Sequence, residues 1–122
     1  MRHRSDAPSK YRAKPQVVDG IRFASQKEAR RYGELKLLEK IGVIRGLRLQ
    51  PVFVLCPWMT DHSDIRAIGK YVGDFAFDEC DHADGHRGWK GIVEDVKGFK
   101  TPLYKWKKKH VEAQYGIQIR EI

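Results

Sequence analysis

Apolar residues return along this chain with two different periods, and the changes of period mark its elements. Between Ser25 and Gly42, the residues Ala29, Tyr32, Leu35, Leu38 and Ile41 recur at three-residue steps. That approximates the helical period and predicts one buried stripe. Ser25 is placed to cap this helix, Glu28 three residues on completes a capping box, and Gly42 is a natural stop. Upstream, Val17-Val18-Asp19-Gly20-Ile21-Arg22-Phe23 reads as a small hairpin turning at Asp19-Gly20. Downstream come three extended stretches: Leu47 to Leu55, interrupted by Pro51 as at an edge or bulge; Ile68 to Asp78; and Trp89 to Lys97. Polar loops, Pro57 to Arg66 and Glu79 to Gly88, separate them. After Gly98 and Pro102, a second helix is expected from about Leu103 to Tyr115, with Leu103, Trp106 and His110 along one side and Trp106 in the core. Gly116 ends it, and Ile117, Ile119 and Ile122 predict a last strand. Helix, three strands, helix, strand, preceded by a hairpin, is an α/β order: a mixed central sheet flanked by helices.

Residues 1–15 do not join this pattern. They mix Pro8, Pro15, Ser5 and Ser9 with charge and read as a flexible basic arm, leaving 16–122 as one folded domain. A hydrophobic fraction of 41% suffices for its core. No stretch nears the roughly 18 apolar residues of a membrane span, and no apolar segment follows the basic N-terminus, so a cytoplasmic protein without membrane contact is expected. Cys56 and Cys80 are then expected to be reduced thiols.

Charge changes the picture more. The net charge is +8, from 24 basic and 16 acidic residues, which favours a polyanionic partner over a neutral one. The basic residues cluster: Arg2, Arg4, Lys10, Arg12 and Lys14 face only Asp6 in the arm, and residues 97–109 carry six lysines and no acid. A merely soluble basic surface would also give a positive balance. Clustering beside the third strand instead makes Lys100, Lys105, Lys107, Lys108 and Lys109 candidates for phosphate contacts, salt-sensitive and mostly indifferent to sequence.

The candidate chemistry lies in Ile92-Val93-Glu94-Asp95-Val96-Lys97-Gly98. Alternation along a strand points Asp95 and Lys97 the same way, and Asp74 sits in the preceding strand, in Tyr71-Val72-Gly73-Asp74-Phe75-Ala76-Phe77. Two acids and a lysine at neighbouring strand ends suit phosphodiester hydrolysis. Mg²⁺ needs only one or two carboxylates and can neutralise the phosphate and activate water. Lys97 would orient that water or stabilise charge at phosphorus, and its cation is expected to keep both aspartates ionised. Gln50 either faces this site or is an ordinary edge-strand residue. Cys80, His82 and His86, with Cys56 and His62 upstream, lack the paired spacing of a zinc site and read better as a polar loop.

Four stretches carry a resemblance: Asp19-Gly20-Ile21-Arg22-Phe23-Ala24-Ser25-Gln26-Lys27-Glu28, Leu49-Gln50-Pro51, Tyr71-Val72-Gly73-Asp74-Phe75, and Val93-Glu94-Asp95-Val96-Lys97-Gly98-Phe99-Lys100-Thr101. In this order, across roughly residues 17–122, they resemble the PD-(D/E)XK nuclease superfamily, and within it a small phage and prophage group known as a domain of unknown function. The resemblance implies a restriction-endonuclease-like αβββαβ core that cuts DNA with Mg²⁺, for which Mn²⁺ can substitute. It implies Asp74 and Asp95 as metal ligands, Lys97 as the catalytic lysine, and Glu28 as an additional acid at the metal. Two departures stand out. Gly73 precedes Asp74 where proline is usual, and Glu94 adjoins Asp95. Simple alternation favours Asp95 as the ligand; a bulge would favour Glu94. By analogy with small relatives the substrate would be branched DNA such as a Holliday junction, and cutting two strands symmetrically would require a homodimer. The rival expectation is a non-catalytic DNA-binding module that kept the fold. A third is an accessory protein docking on a phage replication or packaging complex.

Overall fold

The structure, a computed structural model, describes residues 14–56, 67–81 and 88–122. The arm up to residue 13, the loop at 57–66 with His62, and His82 and His86 lie outside the described residues.

The chain opens with the hairpin β1 (Gln16–Val18) and β2 (Ile21–Phe23). Asp19 and Gly20 both take positive φ, 54° and 76°, the twist a two-residue hairpin turn requires. Helix α1 (Gln26–Lys40) follows, with the Ser25 side chain accepting from the Glu28 N–H at 3.1 Å. Ala29, Tyr32 and Leu35 are buried, but Ile41 is 64% exposed. Three-residue steps fall about 60° short of a full turn each, so the stripe walks off the buried face before it reaches Ile41.

Next come β3 (Ile44–Leu49), β4 (Val52–Leu55), β5 (Gly69–Val72), β6 (Phe75–Asp81), β7 (Gly88–Asp95), α2 (Pro102–Tyr115) and β8 (Gln118–Glu121). The main sheet has the order β3-β6-β7-β8, antiparallel except for the parallel pair β7–β8 joined through α2. β4 and β5 form a separate antiparallel ribbon. The described residues are therefore α/β, with a mixed sheet and two helices.

Two of the expected strands are broken by a shared corner. Gln50 N–H donates to the Asp74 carbonyl (2.9 Å) and Gly73 N–H to the Pro51 carbonyl (3.0 Å). Thus β3–β4 and β5–β6 stay paired while both bend. Pro51 marks the bend on one side, beside Gln50 at φ 49°. On the other side, a Cβ on Gly73 would lie 2.9 Å from Val93 Cγ1 and 3.4 Å from Pro51 Cγ. The corner is too tight for a side chain there. Asp74 is carried at the bend.

Alternation sorts the core. Phe75, Phe77 and Ile92 pack with α1, the hairpin's Phe23 and Ile44. Ala76, Val93 and Ile119 pack with Tyr104 and Val111 of α2 and with Leu55 and Tyr71 of the ribbon. Helix α2 is capped by Thr101, whose hydroxyl accepts from Tyr104 N–H at 3.0 Å, and it ends at Gly116 with φ 65°. Trp106 is not a core residue: it is 50% exposed and stacks near His110. Two residues past buried Tyr104 it points about 200° round the helix. Cys56 and Cys80 are half-buried thiols. No helix among the described residues is long and apolar enough to cross a membrane.

Candidate functional site

β7 runs unbroken against β6, pairing Asp81↔Gly88 through Phe75↔Glu94 with no register shift. The bulge that would have redirected Glu94 is absent, and the two adjacent acids leave on opposite faces.

Glu94 turns to the α1 face and is 0% exposed. Arg31 of α1 grips it with Nε–Oε1 at 2.8 Å and Nη2–Oε2 at 2.5 Å. Arg120, its register partner on β8, reaches to 3.8 Å and forks onto Glu79 at 3.0 Å through both nitrogens. Both carboxylate oxygens of Glu94 are thereby committed to arginine.

Asp95 turns the other way, toward α2 and the ribbon. Tyr71 donates its hydroxyl proton to Oδ2, and Lys97 Nζ stands 3.2 Å from Oδ1. Lys97 also lies 4.2 Å above the Tyr104 ring, a cation–π contact that steers the amine. The Ile122 N–H bonds to the Asp95 carbonyl at 3.0 Å, tying this strand end to the segment after β8.

Asp74 closes the group from the corner. Its Oδ2 accepts from Val96 N–H at 2.6 Å, and its carboxyl is within hydrogen-bonding reach of Asp95. Burial first, then repulsion from Glu28 and Asp95, pushes the Asp74 carboxyl up to about 7, against the opposing pull of the Val96 N–H. This departs from the expectation that Lys97 keeps Asp74 ionised: the amine is paired to Asp95, and burial, reinforced by the neighbouring acids, outweighs it at Asp74. Glu28, in the first turn of α1, is also raised, by burial and then by the Asp95 charge. Its backbone N–H serves the Ser25 cap, while its carboxylate lies within electrostatic reach of Asp74 and Asp95. A small pocket of about 100 Å³ has Glu28, Asp74, Gln50 and Arg22 in its wall, placing Gln50 beside the acids. A larger hollow of about 510 Å³ against Gly33, Lys36 and Leu37 of α1 holds no such convergence.

Among the described residues, no three His, Cys, Asp or Glu side chains are drawn together as a finished metal cage. What is present is a contacting pair of carboxyls, Asp74 and Asp95, with Glu28 within electrostatic reach. These are hard oxygen donors, the chemistry Mg²⁺ takes, and that ion needs only one or two protein carboxylates.

Residues 8–121 match the model of a family described as "Protein of unknown function (DUF1064)". The chain belongs to that family. No curated protein and no solved structure shows a significant match.

In this DUF1064 chain the lysines that follow β7 do not form the uniform patch their spacing suggests. Glu121 of β8 lies beneath them, 2.9 Å from Lys100 and 3.7 Å from Lys108, and accepts from Tyr104 at 2.8 Å. Lys100 foremost, then Tyr104, holds the Glu121 carboxyl below its usual range. Lys105 and Lys109 are exposed, and Lys107 is half-buried at the mouth of a cleft. Sequence reasoning missed Tyr71, Arg31 and Glu121. Only Tyr71 left a local signal, as the tyrosine three residues before Asp74 in a stretch already singled out.

Proposed function

We propose that this protein is a Mg²⁺-dependent DNA endonuclease with a restriction-endonuclease-like core of the PD-(D/E)XK kind. One observation carries the reading: the Asp74 and Asp95 carboxyls meet at the strand corner with Lys97 paired to Asp95. Buried carboxyls brought together at one strand corner form an arrangement that a divalent cation would relieve.

Asp74, Asp95 and Glu28 would hold the ion. When bound, Mg²⁺ neutralises phosphate charge and makes water a nucleophile near neutral pH. Tyr71 fixes the rotamer of Asp95 through its hydroxyl. Lys97, held by Asp95 on one side and the Tyr104 ring on the other, presents its remaining N–H donors to the attacking water or to a phosphate oxygen. Lys105, Lys107 and Lys109 supply cations for the backbone of the bound strand. Cutting both strands of a duplex or junction would take two copies of the chain related by a two-fold axis. Branched DNA, phage or prophage origin and a place in DNA recombination stand on the resemblance alone.

The test is cleavage of a labelled four-way junction and a matched linear duplex, with Mg²⁺ and with EDTA. Mg²⁺-dependent cutting lost in both Asp74→Ala and Lys97→Ala, with DNA binding retained, supports the assignment. Undiminished cutting by both variants ends it. Binding without cutting, with Mn²⁺ also tried, would instead make the protein a DNA-binding module.

A further inference from the structure

Beside Lys97, a cleft of about 330 Å³ opens between α2 and the ribbon strand β5. That volume falls within the range of pockets that hold small organic ligands. Its rim carries three amines, Lys70, Lys97 and Lys107, and no acid is among its lining residues. Between the amines the lining is mostly apolar: Leu103 is 61% exposed and Val72 43% exposed, and they stand with Tyr71, Thr101 and the buried Tyr104. Lys97 and Tyr104 are already committed to each other. Lys70 and Lys107 make no ion pair among the described residues. Leu103 sits in the first turn of α2, where a polar residue would serve the helix equally well.

We propose that this cleft seats one unpaired nucleotide of the strand next to the scissile phosphate. Apolar walls under a cationic rim match the two halves of a nucleotide, a flat base and an anionic phosphate. A paired base is held in the duplex stack and keeps its faces covered, so only an unpaired or splayed nucleotide can enter. With Lys97 shared between the cleft and the carboxylate pair, a nucleotide seated here places its phosphate at the candidate site. The preferred substrate is therefore DNA with unpaired nucleotides at the cut: a flap, a gap or the open centre of a junction. That consequence rests on the nuclease reading; strand binding in the cleft does not.

Strand binding is measured first, without cleavage. In EDTA, the full chain is titrated into a fluorescein-labelled oligothymidylate of about ten nucleotides and, separately, into a duplex of equal length, reading anisotropy. Leu103→Ser and Lys107→Ala are compared with Lys40→Ala, which removes the same charge from an exposed position at the end of α1, outside the cleft. The expected result is at least about a fivefold loss of single-strand affinity for Leu103→Ser and Lys107→Ala, and about twofold or less for Lys40→Ala. Leu103→Ser should leave duplex affinity unchanged, which also shows that it folds. Wild-type single-strand affinity in Leu103→Ser, or equal losses on strand and duplex, overturns the proposal.

Cleavage with Mg²⁺ separates the two readings. If the wild type cuts neither a blunt duplex nor one with an unpaired tail, yet Leu103→Ser has lost strand binding, the cleft stands and the nuclease reading falls. If the wild type cuts and Leu103→Ser cuts both substrates equally well, the nuclease stands and the cleft falls.

Discussion

Glu94 and Asp95 are adjacent on one strand, both almost wholly buried, and they have opposite surroundings. On the α1 face, Glu94 meets two arginines, and its charge is matched by a bidentate fork. On the α2 face, Asp95 meets a tyrosine, a lysine and a second carboxyl. The first is a closed structural pair. The second is an electrostatically uncomfortable cluster at the edge of a cleft. The difference teaches which of the two acids is available: a carboxylate saturated by arginine has nothing left for a metal or substrate, which is why the proposed site is built on Asp95 and not on Glu94. It also gives Arg31 a use. One helical turn beyond Glu28, the Arg31–Glu94 fork anchors the start of α1, and with it the Glu28 carboxylate, against the strand that carries Asp95.

The strongest way to break this comparison is to remove one acid on the α2 face and one arginine on the α1 face. Asp74→Asn should abolish Mg²⁺-dependent cleavage and yet not destabilise the fold at alkaline pH. The sign follows from the shift. A carboxyl whose folded value is raised to about 7 favours the folded state fully only below the ordinary carboxyl value. That contribution is lost as pH rises through about 7. The melting temperature of Asp74→Asn relative to wild type should therefore rise between pH 5 and pH 8; a relative fall over that range would show that the Asp74 carboxyl is not raised in the folded state. On the other face, Arg31→Ala strands a buried carboxylate. It should cost about 3–5 kcal/mol in urea unfolding at neutral pH, and a loss below ~1 kcal/mol would mean that Glu94 is not closed off.

Smaller changes sharpen the contrast. Gly73→Ala puts a Cβ against Val93 and Pro51 at the corner and should destabilise by about 1–3 kcal/mol. Because the strain falls on the bend that carries Asp74, cleavage should fall further than stability predicts. Tyr71→Phe removes the proton donor to Asp95 while keeping the ring. About tenfold slower cleavage with little change in DNA affinity is expected, and an unchanged rate would remove Tyr71 from the site. Least is expected of Arg120→Gln. Arg120 holds the Glu79 carboxyl below its usual range, so the pair's stabilisation is complete above the ordinary carboxyl value and is lost as pH falls through the depressed one. Both side chains are about one-third exposed, so solvent should screen this to about 0–1 kcal/mol, visible as a slightly smaller loss of stability in the variant between neutral and acid pH.

Much of this architecture was readable from local pattern. The start of α1 and its Ser25 cap, the Asp19-Gly20 turn, the Gly116 stop and the alternation that separates Glu94 from Asp95 all depend on residues within a few positions of one another. Where the reading failed, distance in the chain was the reason. The stretches Leu47 to Leu55 and Ile68 to Asp78 each look like one strand. They bend because Gly73 must pass under Val93, twenty residues away. Trp106 looked like core because apolar character does not reveal which side of α2 the sheet will cover. Residues 97–109 looked uniformly basic because Glu121 arrives only when β8 pairs beside β7.

By itself, then, the sequence determined the order of helices and strands, their caps and turns, and the face on which each acid of β7 would emerge, since backbone stereochemistry and side-chain periodicity act over a few residues. Only the tertiary structure decided that Asp74 would meet Asp95, that arginine would silence Glu94, and that a lysine-rimmed cleft would open beside Lys97. Those depend on Coulomb interaction, desolvation and packing between groups that folding alone brings within a few ångströms.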